Sequence, residues 1–375
     1  MTPGIPLTDP LPLPAPPALL WALLQVTFLF HLLAMNVVLG GSILALYWRW
    51  SRRPDDAAHR ATFLRVFERV LPVAVAATVT LGIAPLLFVQ VLYGRLFFTS
   101  SILMAWLWLS VVPLLILAYY GAYLLAFRGE ALGLRARAVA GVVTLLFLTI
   151  AFLYVSNMTR MLRPETFLDA YRTDSRGLLP NHGDPTLWPR CLHVLLGAVA
   201  VAGLATSLFG ALRRRSDPPF AHWAGRRGTV VFGVATAANV FAGMLLLLAQ
   251  PRPVLVRLAG GDSVSMAVLA VGILLGVAAA GLAPLALGAR NAERATWALV
   301  SVLLPTLVAM VLLRDQVRKI ALLTAGVEQP AWVAFQRGPF AAFVVLLVAA
   351  VLTIAWMAGE LARAGRHSSP ASCPR

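Results

Sequence analysis

Two histidines, a methionine and a scatter of arginines are the residues of this 375-residue chain whose types and positions could do chemistry. His31 sits inside the apolar run F-H-L-L-A-M-N-V-V-L-G-G, with Met35 one turn on and Gly40 and Gly41 beyond it. An ionisable group deep in an apolar segment is costly and is a functional hypothesis by default. Imidazole there either bonds across to another helix or ligates a metal or a haem iron. His193 stands near the start of a second run, in W-P-R-C-L-H-V-L-L-G, where a polar anchor is the plainer alternative. Met266 opens a third, in G-D-S-V-S-M-A-V-L. A lone methionine is usually packing, but at the depth of His193 it could complete a His/Met pair on haem iron.

The arginines that go with these residues lie at the ends of the same runs. Arg314 and Arg318 fall in L-L-R-D-Q-V-R-K, and Arg160, Arg163, Arg252 and Arg257 lie at matching levels. Guanidinium binds carboxylate in bidentate fashion, so this set could hold haem propionates. The structural alternative is an ion-pair cluster in which Asp315 pairs with Arg318 or Lys319 at helical spacing. Ser156 and Asn157, in S-N-M-T-R-M-L-R-P-E, could cap a helix or line a pocket.

The elements that must position these groups are membrane helices. The chain is 60% hydrophobic and only 12% charged, with a mean hydropathy of +0.82. Apolar runs of about 20 residues, long enough to cross a hydrocarbon core of about 30 Å, recur throughout. Continuous runs read as helices, because barrel strands alternate apolar and polar residues. The spans are expected near 18–48, 66–93, 98–127, 137–160, 187–212, 228–250, 264–288, 295–320 and 339–361. The expected fold is therefore an all-α polytopic bundle of about nine transmembrane helices over 18–361. A Pro-rich lead-in, 1–17, precedes it and a tail, 362–375, follows.

The formal net charge is +16, nearly all of it arginine. Nineteen basic residues fall on one side of the expected topology and twelve on the other. That bias places the N-terminus outside and the C-terminus in the cytoplasm of a bacterial-type inner membrane. Anionic lipid and topology account for the basic residues, and no free domain exists to carry nucleic acid. Cys191 and Cys373 fall on opposite sides and cannot pair within the chain. No C-x-x-C-H, phosphate loop, zinc spacing or nucleophile motif is present. No Asp or Glu lies near the middle of any span, which counts against a proton-coupled carrier.

In these residues the chain distantly resembles subunit I of the cytochrome bd-type quinol oxidases. His31, Leu32, Leu39 and Gly40 match that family's first span in order. Leu81, Gly82, Gly94, Met104 and Ala105 are similar to its second and third, and Asn157 with Pro164 to the end of its fourth. His193 matches the histidine ligand of its low-spin haem b, and Met266 could match the methionine ligand. The likeness is better over 18–212 than beyond. It implies nine spans, an outside N-terminus, one haem b between His193 and Met266, and His31 as candidate ligand of a second haem. Some features of the family are replaced. About a dozen residues, 251–263, stand where it has a long quinol-binding loop. Gln90, the stretch near Ile102, and Leu312 or Leu313 stand where it has glutamates.

The leading expectation is a haem b-binding subunit for electron transfer in a respiratory-type redox complex. It would meet membrane lipid, a partner subunit or outer-side c-type cytochrome, and membrane quinol as a further candidate. The alternatives are a divergent bd-type quinol:oxygen oxidoreductase subunit, and a non-redox transporter or membrane anchor.

Overall fold

The structure is a computed structural model, and it describes residues 12–51, 53–327 and 333–367. Most of the 1–17 lead-in, the end of the tail and Cys373 lie outside the described residues. Eight segments are long and apolar enough to cross a membrane, among the described residues. They comprise α1 (Pro17–Trp50), α2 (Ala57–Leu103), a short α3 (Ala105–Leu109) that leads into α4 (Val111–Arg128), α5 (Arg135–Arg160), and, after a short α6 (Phe167–Thr173), α7 (Leu187–Leu212). Next come α8 (Pro218–Leu248), a one-turn α9 (Arg252–Val256), α10 (Ser263–Leu287) and α11 (Ala292–Thr324). The chain is thus an all-α polytopic membrane bundle.

The chain divides into two units. The smaller holds residues 9–20 and 330–375. Within it the N–H of Ala334 donates to the Leu13 carbonyl and that of Gln336 to the Pro14 carbonyl, ahead of α12 (Arg337–His367). The expected ninth span, 339–361, is this helix, whose described apolar part is Arg337–Ala349. The larger unit, from Trp21 to Gln329, carries the candidate site.

Several boundaries differ from the sequence expectation for identifiable reasons. Helix α2 starts at Ala57 rather than 66, because Pro54 opens a turn and Phe63, Phe67 and Leu71 then bury one stripe of it. Arg60, Arg65 and Arg69 therefore lie on a helix and not in a loop. Helix α8 starts at Pro218 rather than 228. Asp217 caps it, accepting from the Phe220 N–H at 3.2 Å, and two prolines fill the first turn, where a missing N–H is harmless. Helix α2 runs on past a break at Tyr93 (φ −132°, ψ 26°) to Leu103, so the third span opens at Ala105 rather than 98.

Small residues set the helix approaches. A Cβ on Gly40 of α1 would collide with the Ala198 carbonyl of α7. Gly203, Ser207 and Gly210 of α7 face Gly225, Gly228 and Thr229 of α8, and Ser207 Oγ donates to the Gly225 carbonyl at 3.0 Å. With lipid as solvent no hydrophobic force drives helices together, so close backbone approach at such seams carries the packing. A Cβ on Gly203 would sit 2.8 Å from the Phe232 nitrogen and 3.0 Å from the Gly228 oxygen, both main chain and unable to give way. Gly203→Leu should cost about 1–3 kcal/mol through overpacking. Gly281→Leu, whose Cβ meets nothing, should cost much less. Thermal unfolding of the two variants in detergent checks this, and equal melting points would overturn it.

Candidate functional site

Both membrane histidines are held in the same way. His31 Nδ1–H donates to the Thr78 carbonyl of α2 at 3.0 Å, and His193 Nδ1–H donates to the Asn239 carbonyl of α8 at 3.2 Å. Four residues after each carbonyl stands a glycine against the imidazole, Gly82 for His31 and Gly243 for His193. Helical side chains lean toward the N-terminus, so the residue at i+4 normally covers the carbonyl of residue i. Glycine there leaves the carbonyl open to a second donor. A Cβ on Gly82 would lie 2.9 Å from His31 Nδ1, and one on Gly243 would lie 3.3 Å from His193 Nδ1.

The bond fixes the tautomer. A carbonyl only accepts, so Nδ1 must carry the proton, and a neutral ring then presents the lone pair of Nε2. An imidazole whose far nitrogen is tied to a carbonyl is in the usual state of a metal-ligating histidine. No group of three or more His, Cys, Asp or Glu side chains forms a metal site among the described residues. The donor sets are thus single imidazoles, which suits a group that brings its own equatorial ligands.

Several cationic groups at this end of the bundle have N–H atoms without acceptors. Arg318 is 3% exposed, yet neither of its Nη atoms makes a hydrogen bond. Its nearest carboxylate, Asp315, lies 3.6 Å away and gives its other oxygen to Lys319 at 2.8 Å. Arg314 lies over the Phe28 ring at 4.1 Å and Arg318 over the Tyr93 ring at 5.0 Å. The buried Tyr93 hydroxyl and the Nε of Arg190 also have no hydrogen-bond partner. Arg160, 3% exposed, donates to the Leu179 carbonyl at 3.0 Å but leaves its Nε unpaired. Buried guanidinium groups without acceptors are expensive, so Arg318 and Arg160 are suited to an anionic partner.

The structure brings together some of the expected residues and not others. By helix order, His31, His193, Arg314 and Arg318 lie toward the end of the bundle that carries residues 161–186, as does Arg160 at the close of α5. Arg252 and Arg257 are exposed on α9 and the π-turn after it. Met266 is 47% exposed, while the buried side of its turn is Ser265, which bonds to Gln316 of α11 at 3.3 Å. Asp315 forms the ion pairs its spacing predicts, with both Arg318 and Lys319. Asn157 is a structural tie, donating to Ser101 at 3.0 Å and accepting from Ser100, while Ser156 accepts from the Asn181 N–H. Arg190 was not expected; its signal is its position three residues before His193, on the same helical face.

No family model and no curated protein matches the chain. Among solved structures, a chain of the bd oxidase from Geobacillus thermodenitrificans superposes with a TM-score of 0.71. The match covers 94% of this chain and 98% of that one at 12% identity. The fold is therefore a bd-oxidase chain fold, and the distant resemblance carried by the histidine motifs extends to the architecture.

Two predictions follow from this geometry. Gly82→Ala should push the His31 ring off its carbonyl and cost on the order of 1 kcal/mol, the net worth of one hydrogen bond. In the double variant with His31→Ala that penalty should vanish, because the new Cβ has nothing to strike. A melting-point cycle measures it, and additive losses would sink the notch. The second concerns Asp262, which caps the turn bearing Met266. It accepts from the Ser265 hydroxyl and from the Ser265 N–H at 2.9 Å, and these bonds hold its carboxyl below the usual range. A depressed carboxylate contributes stability above its unfolded value, about 3.9. That contribution is lost as pH falls through the lower folded value. Amide protection at Ser265 and Met266 should drop there, and Asp262→Asn should abolish the pH dependence.

Proposed function

We propose that the chain is a haem b-binding membrane subunit that moves electrons in a respiratory-type redox complex. The observation that carries the reading is the repeated notch: two imidazoles, each with Nδ1 tied to a carbonyl and Nε2 presented, beside buried guanidiniums lacking an anion. Haem b supplies a one-electron couple at iron and two carboxylates. His193 would ligate one haem, and His31 a second. Met266 is proposed as a second ligand at the His193 haem by its depth beside His193 and not by contact. Arg314, Arg318 and Arg160 would pair with the carboxylates. Carbonyl and glycine would fix ring orientation, and the apolar helices would exclude water.

The proposed site is the inner membrane, with the N-terminus and the site end outside. Electrons would come from membrane quinol or from an outer-side c-type cytochrome, in complex with a partner subunit. The bd-oxidase fold favours a second reading, a divergent quinol:oxygen oxidoreductase subunit. Against it stands the pairing of the acids. Glu68, Asp184 and Asp315, the buried carboxylates among the described residues, all face arginine or lysine.

The test is the reduced-minus-oxidised spectrum of chain purified after haem-replete expression. A haem b band is expected, with about two haems per chain. His193→Ala should remove a low-spin component, and Met266→Ala should convert that component to high spin. A helical, haem-free preparation would refute the reading and favour a transporter or anchor. Quinol-dependent oxygen uptake by membranes containing the chain and a second subunit would favour the oxidase.

A further inference from the structure

A cleft of about 400 Å³ opens between α2 and α4, toward the end of the bundle remote from residues 161–186. Arg69, Pro72 and Val73 of α2 line one side, and Tyr123, Ala126 and Phe127 of α4 line the other. The two helices are in register there. A Cβ on Gly129, just past the end of α4, would lie 2.8 Å from Glu68 Oε2 of α2. Arg65 of α2 pairs with Glu130, in the turn after α4, at 3.0 Å, and that pair is exposed. Arg69 is one turn further along α2, so it stands about 5 Å deeper than the exposed ion pair.

The acids nearest to Arg69 are committed elsewhere. Glu68 turns inward onto Arg49 of α1, and Glu130 faces Arg65. Arg69 has no ion pair and no hydrogen bond among the described residues. Its side chain is exposed, as are those of Val73 and Phe127. The Tyr123 and Phe127 rings stack at 5.8 Å, with Tyr119 edge-on to Tyr123 at 4.9 Å. The Tyr119 and Tyr123 hydroxyls are 3.4 Å apart, so Tyr123 can accept from Tyr119 and keep its own proton for the cleft. Aromatic rings with a polar tip are the usual residues of a membrane interface.

We propose that this cleft binds one anionic phospholipid, with its phosphate on Arg69 and the Tyr123 hydroxyl and an acyl chain along Val73 and Phe127. Guanidinium pairs with phosphate in bidentate fashion, and the apolar side chains deeper in the cleft suit hydrocarbon. A bilayer supplies that combination at this depth: anionic oxygens near the surface and acyl chains beneath them. An arginine that merely snorkels would reach any headgroup. Here it shares a cleft with a hydroxyl and a stacked pair of rings. The site is remote from both histidines and does not depend on the haem reading.

Native mass spectrometry of the purified chain in detergent tests this, with dioleoyl phosphatidylglycerol, dioleoyl phosphatidylcholine and inorganic phosphate as probes. One phosphatidylglycerol should be retained in preference to phosphatidylcholine, and phosphate alone should not bind. Arg69→Gln should weaken that retention about fivefold, the share of one basic residue at an anionic surface. Ala126→Leu keeps every charge but fills the cleft, and should weaken it at least as much. Arg290→Gln removes an exposed arginine between α10 and α11, at the same end of the bundle, and should change nothing. Equal retention of the two lipids, or equal losses from Arg69→Gln and Arg290→Gln, would mean diffuse surface attraction and overturn the proposal. So would full retention in Ala126→Leu. Binding of phosphate alone would make this a free-anion site, and a lipid-free dimer would make the face an interface between copies; either result overturns the lipid assignment.

Discussion

Inside an apolar bundle the fixed polar partners available to an imidazole are main-chain carbonyls, and each of these is already bonded within its own helix. The Nδ1–H bonds of His31 to Thr78 and of His193 to Asn239 therefore need two conditions at once. The carbonyl must be uncovered, which requires glycine one turn later, and the two helices must approach closely enough for ring and backbone to touch. Gly82 and Gly243 meet the first condition. For His193 the second is met by the small-residue seam of α7 and α8, which brings Gly203 and Ser207 against Gly225 and Gly228 and sets the separation further along. A side chain that widened that seam would weaken the histidine's bond without touching it.

Charge is arranged differently at the two ends of the larger unit. At the end remote from residues 161–186, several acids are each held by an arginine. Arg49 pairs with Glu68, Arg227 with Asp56 at 2.7 Å, and Arg65 with Glu130 at 3.0 Å. At the histidine end, Arg318 and Lys319 share Asp315, and both Nη atoms of Arg318 and the Nε of Arg190 are left without an acceptor. Removing one partner from a buried pair typically costs 3–5 kcal/mol, so an unmatched cluster is a standing penalty unless an anion completes it. Positive-inside topology explains an arginine excess in loops, but it does not explain buried guanidiniums without acceptors.

Much of the fold was legible in the sequence, because continuous apolar runs in lipid admit one backbone solution. The span ends were less so. Arg60, Arg65 and Arg227 read as loop residues by charge, whereas their helices project beyond the apolar core and pair them with the Arg53 carbonyl, Glu130 and Asp56 respectively. His31 and His193 stood out because ionisable groups are rare there. The glycine notches did not, since the link between Gly82 and His31 spans 51 residues and depends on which helices become neighbours. Met266 shows the converse limit: depth along a helix is readable from sequence, but rotation about its axis is set by packing, and Ser265 takes the buried side.

The same features bear on which redox role suits the bundle. Oxygen reduction consumes protons, so a buried reduction site needs carboxyls or hydroxyls that change protonation state along a route. Here Glu68 is tied to Arg49 within α1 and α2, and Asp315 is tied to Lys319 within α11. The bundle thus shares its architecture with a bd oxidase chain, while its buried acids stand in ion pairs and its two membrane imidazoles are each tied to a carbonyl.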